Sequence, residues 1–460
     1  MNKTLKILLI LLVLLTLACI LSCALMASTK FCPPQGPWPV PPWCEPAEAA
    51  EMNEMPAPLL DLAEEIVPQI NELLPTPELV PYILPAEMEA VFSGEEWTQN
   101  PSLPSDFMLG HTFMDIYGNG QYPRYVSSTM DSMIQAGSGW VVFDNYWSYH
   151  SLEPPVIRPF PDRMGFRDAS AEEIKEMVTI AHEKGLKFAL MMELNWDVMA
   201  GPWVSWEESQ RFWTESQEFL HQKAMDIESN TAYWDAWFAS YTEFALNQAA
   251  VAEESGADML VIGKQINGAV NVGNMDRWKQ LIAEVRKVYS GPISYASYTF
   301  QDYSQAEEFP YEDMDVIILY LYNQIHEEDQ PDITALVSAF EQYHDNQFEP
   351  LSKRFNKPIL FLTPFQSRDF GAKQEWFEPA APAPEVGEDL LIQAKLYEAL
   401  FQSIQDEDWV AGVWTWGYWW RDEFYQHQPD DSSFIKSSSV RNKPAMWIIK
   451  KWADSILPPS

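Results

Sequence analysis

Between residues 106 and 420, short apolar runs alternate with amphipathic helical stretches, and this alternation limits the possible folds more than any other feature. The runs are "DFMLGHTFMD" (106–115), "GWVVFDNYW" (139–147), "KFALMMELNW" (187–196), "DMLVIGKQI" (258–266), "PISYASYTF" (292–300), "MDVIILYLYN" (314–323), "KPILFLTPFQS" (357–367) and "VAGVWTWGYWW" (410–420). Each has strand length. Between them lie helical stretches such as "SAEEIKEMVTIAHEKG" (170–185), where Ser170 caps, Glu173 completes a capping box and Gly185 stops the helix. Others are 231–256, 275–291 and 388–408. Strand–helix alternation favours a parallel sheet. Eight such units predict a closed (β/α)8 TIM barrel, an α/β fold whose reactive face lies at the C-terminal ends of the strands. An open doubly wound sheet would carry a Gly-rich turn after its first strand, and none is present.

The N-terminus is built differently. "MNKTLKILLILLVLLTLACILSC" places Lys3 and Lys6 before an apolar run that ends in small residues and cysteine, the pattern of a secretory signal. All four cysteines fall at 19, 23, 32 and 44. A cysteine after "ILS" resembles a bacterial lipoprotein cleavage site. Cleavage before Cys23 leaves that thiol for lipid and leaves Cys32 and Cys44 to pair, whereas cleavage before Cys19 leaves an odd one. The competing reading is an uncleaved membrane helix over 7–27. Either way the chain is exported and held at a membrane, a setting that permits a disulfide. Residues 1–23 are thus the signal segment. Residues 24–105, acidic and broken by proline, form a stalk or linker with room for part of it to pack on the main domain. Residues 106–456 form the barrel.

Charge narrows the partners. Acidic residues outnumber basic ones by 67 to 29, for a net charge of −38. Such a surface repels polyanions and argues against nucleic acid. The seven histidines are scattered, the cysteines are all N-terminal, and there is no phosphate-binding loop or serine nucleophile elbow. No metal site and no cofactor are implied.

The predicted strand ends bring together the aromatics Trp147, Trp196, Tyr298, Tyr322, Trp414 and Trp416, the amides Asn195 and Asn267, and the carboxylates Asp144 and Glu193. Sugars need this mixture: their C–H faces stack on flat rings and their hydroxyls bond planar polar groups. In "WTWGYWW", a period of two puts Trp414 and Trp416 on one face. Some of these rings are therefore expected to floor a cleft.

The pieces "GSGWVVFDNYW", "AEEIKEMVTIAHEKGLKFAL", "WFASYTEFALNQAAVAEESGADMLVIG", "WKQLIAEVRKVYSGPISYAS", "KPILF", "QAKLYEALFQSI", "WVAGVWTW" and "RNKPAMWIIKKW" follow one another over about 106–453. In this order and spacing the chain resembles the glycoside hydrolase family 113 β-mannanases and related clan A barrels. The resemblance implies a β-linked, mannan-like carbohydrate ligand and two catalytic glutamates. One follows strand four in a Gly-x-Glu turn as acid/base, and the other ends strand seven after "KPILF" as nucleophile. Retaining cleavage needs the two carboxyl groups about 5–5.5 Å apart. Here "GKQ" puts Gln265 at the first position and "KPILFLTPF" puts Thr363 at the second, with a one-residue slip reaching Leu362 or Pro364. None of these carries a carboxyl group, so ordinary retaining turnover is not expected. Glu193 and Asp144 are the candidates for a displaced acid pair. Their competing role is to bind sugar hydroxyls or to neutralise Lys264 or Arg368. Asp422 and Glu423, just past the eighth strand, are weaker candidates, with a solvated loop as the competing reading. A third reading is an envelope scaffold whose mouth is plugged by 197–230 or 367–388, with Trp203 or Trp376 filling the cleft.

Overall fold

The computed structural model describes residues 82–114, 122–159, 168–195, 206–266, 268–298, 309–373, 386–419 and 435–456. The signal segment, Cys23, Cys32, Cys44 and the stalk up to residue 81 lie outside them. Among the described residues no helix is long and apolar enough to cross a membrane.

All eight apolar runs form parallel strands of one closed barrel. They are β1 (Met108–Met114), β2 (Trp140–Leu152), β4 (Lys187–Asn195), β5 (Met259–Lys264), β6 (Ile293–Tyr298), β7 (Val316–Tyr320), β8 (Ile359–Thr363) and β9 (Val410–Trp419). β1 pairs with both β9 and β2, which closes the sheet. One element was not expected: β3 (Pro155–Arg158) folds back antiparallel on the extended end of β2. The helices are α1 (Ala86–Phe92), α2 (Tyr122–Gln135), α3 (Ala171–Glu183), α4 (Trp206–Met225), α5 (Thr231–Ser255), α6 (Met275–Val288), α7 (Ile333–Tyr343), α8 (Glu349–Phe355), α9 (Leu390–Ile404) and α10 (Pro444–Ala453).

Two apolar layers explain why the strands read as continuous apolar runs. Inside the barrel, Trp140, Val142, Ala189, Met191, Val261, Ile318, Leu360, Leu362 and Trp414 pack on one another. Outside it, the alternate residues meet the helices: Phe143, Leu190, Ile262 and Phe361 belong to the larger core. The predicted capping box on α3 forms, with Ser170 Oγ accepting from the Glu173 amide and Glu173 Oε2 from the Ser170 amide. The chain leaves that helix through Gly185 at φ +77°, a left-handed turn that glycine adopts without penalty.

Packing on the barrel begins upstream of residue 106. Phe92 and Trp97 are buried, and Phe92 stacks on Trp447 of α10 at 5.4 Å. The Thr98 amide donates to Glu398 Oε1 at 2.6 Å, and the buried Glu398 also accepts from Trp452 Nε1 at 3.0 Å. The last part of the predicted linker is therefore a clasp across α9 and α10.

Candidate functional site at the barrel mouth

Strand alternation decides which side chains reach the mouth. On β2, Trp140 and Val142 point inward, so Asp144 does too; on β4, Ala189 and Met191 carry Glu193 inward. β5 breaks the rule. Val261 pairs with Ser294 and Lys264 with Ala296, three residues against two. This bulge sends Ile262 and Gly263 to the outer face and returns Lys264 to the inner one. Gly263 fits because Tyr241 and Tyr295 crowd it: a Cβ there would lie 2.7 Å from the Tyr295 ring and 2.9 Å from the Tyr241 hydroxyl. That hydroxyl donates to the Ile262 carbonyl at 2.7 Å and holds the bulge.

The three inward groups form one ion cluster. Lys264 Nζ donates to Asp144 Oδ2 at 2.9 Å and pairs closely with Glu193. The Lys264 and Asp144 side chains are 1% and 0% exposed, whereas Glu193 is 23% exposed, so only Glu193 reaches towards solvent. Burial pushes the Asp144 carboxyl up, Lys264 pulls it down and Glu193 pushes it up again; the net position is about 7. Burial opposes the charge on Lys264, but the two carboxylates outweigh it and raise its pKa. The ammonium also lies 5.3 Å from the centroid of the Trp416 ring, in cation–π range.

Aromatics continue the wall. The edge of Tyr320 meets Trp416 at 5.8 Å, and Tyr322 stacks on Tyr320 at 5.7 Å. Trp414 is separated from Trp416: it is fully buried in the inner layer with its ring 5.9 Å from Trp140, and so is barrel core. Trp147 also leaves the mouth. It points outward, stacks on Phe244 of α5 at 4.8 Å, and lines a separate cavity of about 360 Å³ with Asn247 and Gln248.

Neither position matched to a family glutamate puts an acid in the mouth. Gln265 adopts a left-handed backbone at φ +53°, with its backbone N–H donating to the Ala296 carbonyl at 3.1 Å. Thr363 faces the helix layer, where its hydroxyl bonds the Tyr397 hydroxyl and the Trp414 carbonyl, each at 3.1 Å. The inward parity of β8 belongs to Leu360 and Leu362, which favours the Leu362 or Pro364 register for that position. The side chains of Asn195 and Tyr298 lie outside the described residues, as do Trp196, Trp203, Asn267, Trp376, Asp422 and Glu423. Tyr320 was among the strand-end residues expected at the mouth, but the β5 bulge was missed from sequence. A glycine before a lysine at a strand end was the one visible signal of the bulge.

A closed (β/α)8 barrel with carboxylates and aromatic rings converging at its C-terminal strand ends has the layout of a glycoside-hydrolase-type barrel. The family model of Glycoside Hydrolase Family 113 matches residues 112–435, more than half of the chain, and the protein belongs to that family. Among solved structures it is similar to a GH113 β-1,4-mannanase complex (21% identity, TM-score 0.54, covering 77% of this chain and 99% of that one). It is also similar to the GH113 β-mannanase AaManA from Alicyclobacillus acidocaldarius in complex with ManMIm (21% identity, TM-score 0.54, 77% and 98%). At these identities the likeness establishes the fold. Comparison with curated proteins gave no match.

Proposed function

We propose that the protein binds a β-linked, mannan-type oligo- or polysaccharide at the barrel mouth without cleaving it by the ordinary retaining route, while tethered to a membrane through lipid on Cys23. The observation that carries this reading is the capture of both inward carboxylates by Lys264. An acid/base must exchange a proton with the leaving oxygen, and a nucleophile must be free to attack the anomeric carbon. Here one buried ammonium engages both groups, and Asp144 is inaccessible. Losing general acid help alone removes about 10²–10⁴-fold in rate. Trp416, Tyr320 and Tyr322 supply faces for stacking, and Glu193 supplies an acceptor for hydroxyls. The similar structures are those of β-mannanases, which favours a mannan-type ligand.

One observation favours a second reading, an active hydrolase with displaced carboxylates: Asp144 titrates near 7, where a general acid is most useful. One experiment separates the two. The purified protein is titrated calorimetrically with mannan, glucomannan and manno-oligosaccharides, and the same mixtures are assayed for new reducing ends. Saturable binding with no reducing ends is expected. Hydrolysis that disappears in both Glu193→Gln and Asp144→Asn would install the second reading, and absence of binding to every glycan would end the first. The anchor is tested separately: Cys23→Ala should move the protein from the membrane fraction to the soluble one.

A further inference from the structure

A second concavity lies beside the mouth, on the outer side of the β5 end. Two glycines let the chain that follows β5 pack close to helix α4 and the turn just after it. A Cβ on Gly268, which sits at φ +79°, would lie 2.8 Å from the Leu220 carbonyl, and one on Gly273 would lie 2.9 Å from Ile227. A larger residue at Gly268 would push the helix away, and one at Gly273 would push away the turn that follows it. What remains between the two walls is a cleft of about 680 Å³, well inside the range of small-molecule sites, roughly 300–1,000 Å³.

Its lining has a definite chemistry. Gln217 and His221, one turn apart on α4, face Gln265 and Phe309 across the gap. Gln217 Oε1 is buried and has no donor among the described residues. Met225 adds an exposed apolar lip, and Glu218 adds a carboxylate. Among the described residues no lysine or arginine lines the cleft, and the chain as a whole is strongly acidic. Anions are therefore disfavoured. Side-chain amides both donate and accept, which suits neighbouring hydroxyls, and the Phe309 ring offers a flat apolar face. Gln265 links the two places: the residue before it, Lys264, enters the mouth, while Gln265 itself lines the cleft.

We propose that this cleft between α4 and the end of β5 is an additional subsite for a neutral saccharide, extending the mouth along a longer chain. The proposal rests on the carbohydrate reading given above. Its test compares a β-1,4-linked mannobiose with a mannohexaose by calorimetry, on the full chain and on two variants. Thr214→Trp fills the cleft from an exposed helix position, and Gln217→Leu removes its amide. The wild type is expected to bind the hexasaccharide at least tenfold more tightly than the disaccharide. Both variants should lose that advantage while their disaccharide affinity and thermal melting stay unchanged. Hexasaccharide affinity that survives in both variants, while Trp416→Ala abolishes binding, overturns the subsite and leaves the mouth reading standing. A wild type that binds neither sugar overturns both.

Discussion

Replacing Lys264 by methionine tests the ion cluster most directly. Methionine keeps most of the side-chain length and removes the charge. Asp144, fully buried, then loses its counterion. Breaking a buried pair by removing one partner costs about 3–5 kcal/mol. The titration of Asp144 gives an independent scale. Its folded value of about 7 stands above the reference of 3.8 even with Lys264 present. At about 1.4 kcal/mol per pH unit, keeping this carboxylate ionised in place costs about 4 kcal/mol. The sign follows from the raised value. The folded protein holds this proton more tightly than the unfolded chain, so the contribution is full below about pH 4 and is lost as pH rises through 7. Lys264 is the group that pulls Asp144 down, so its removal sends the folded value higher. The deficit of Lys264→Met should therefore be about 1 kcal/mol larger at pH 8, where only the wild type has given up the Asp144 proton, than at pH 5, where Asp144 is protonated in both proteins. Urea unfolding followed by tryptophan fluorescence at the two pH values measures it. Adding Asp144→Asn should abolish the pH-dependent part of the loss, because the group that titrates is gone. A deficit of equal size at both pH values, or one under about 1 kcal/mol at pH 8, would refute the assignment of Asp144 as the buried partner.

Three further outcomes follow from the same geometry. Trp416→Ala should weaken glycan binding about tenfold or more in calorimetry, through loss of a stacking face, whereas Trp147→Ala should leave affinity unchanged because that ring packs on Phe244. Thr363→Val should cost about 1 kcal/mol in urea unfolding, through its lost bonds to Tyr397 and the Trp414 carbonyl, with no change in glycan affinity. Gly263→Val should destabilise by about 1–3 kcal/mol as its side chain meets Tyr241 and Tyr295. A mutant as stable as the wild type would show that the bulge is not held by those rings.

Much of the architecture was legible because it is written in local, periodic terms. The eight runs from 106 to 420 each became a barrel strand, since residues buried on both faces of a sheet must be apolar throughout. Ser170, Glu173 and Gly185 marked a helix that begins and stops where they stand, because caps act on their own backbone neighbours. Asp144 and Glu193 were legible as inward carboxylates by counting in twos from the strand starts. Lys264 was legible as a strand-end residue and as one of two cations they might neutralise, but not as the partner of both.

What counting could not reach was every place where the period of two breaks or where a partner comes from far along the chain. Trp414 and Trp416 share a face in sequence, yet depth along the barrel makes one core and the other wall. Thr363 was one residue out of phase with the axis, and its outward face was settled by Tyr397 on a helix 34 residues later. By itself the sequence determined the barrel, because burial on two faces and helix capping are properties of neighbouring residues. Only the tertiary structure decided the chemistry of the mouth. A bulge held by Tyr241 turned Lys264 inward, and a carboxylate 120 residues upstream met it there. In a buried setting of low dielectric, such a meeting fixes which groups can move a proton and which can only hold a charge.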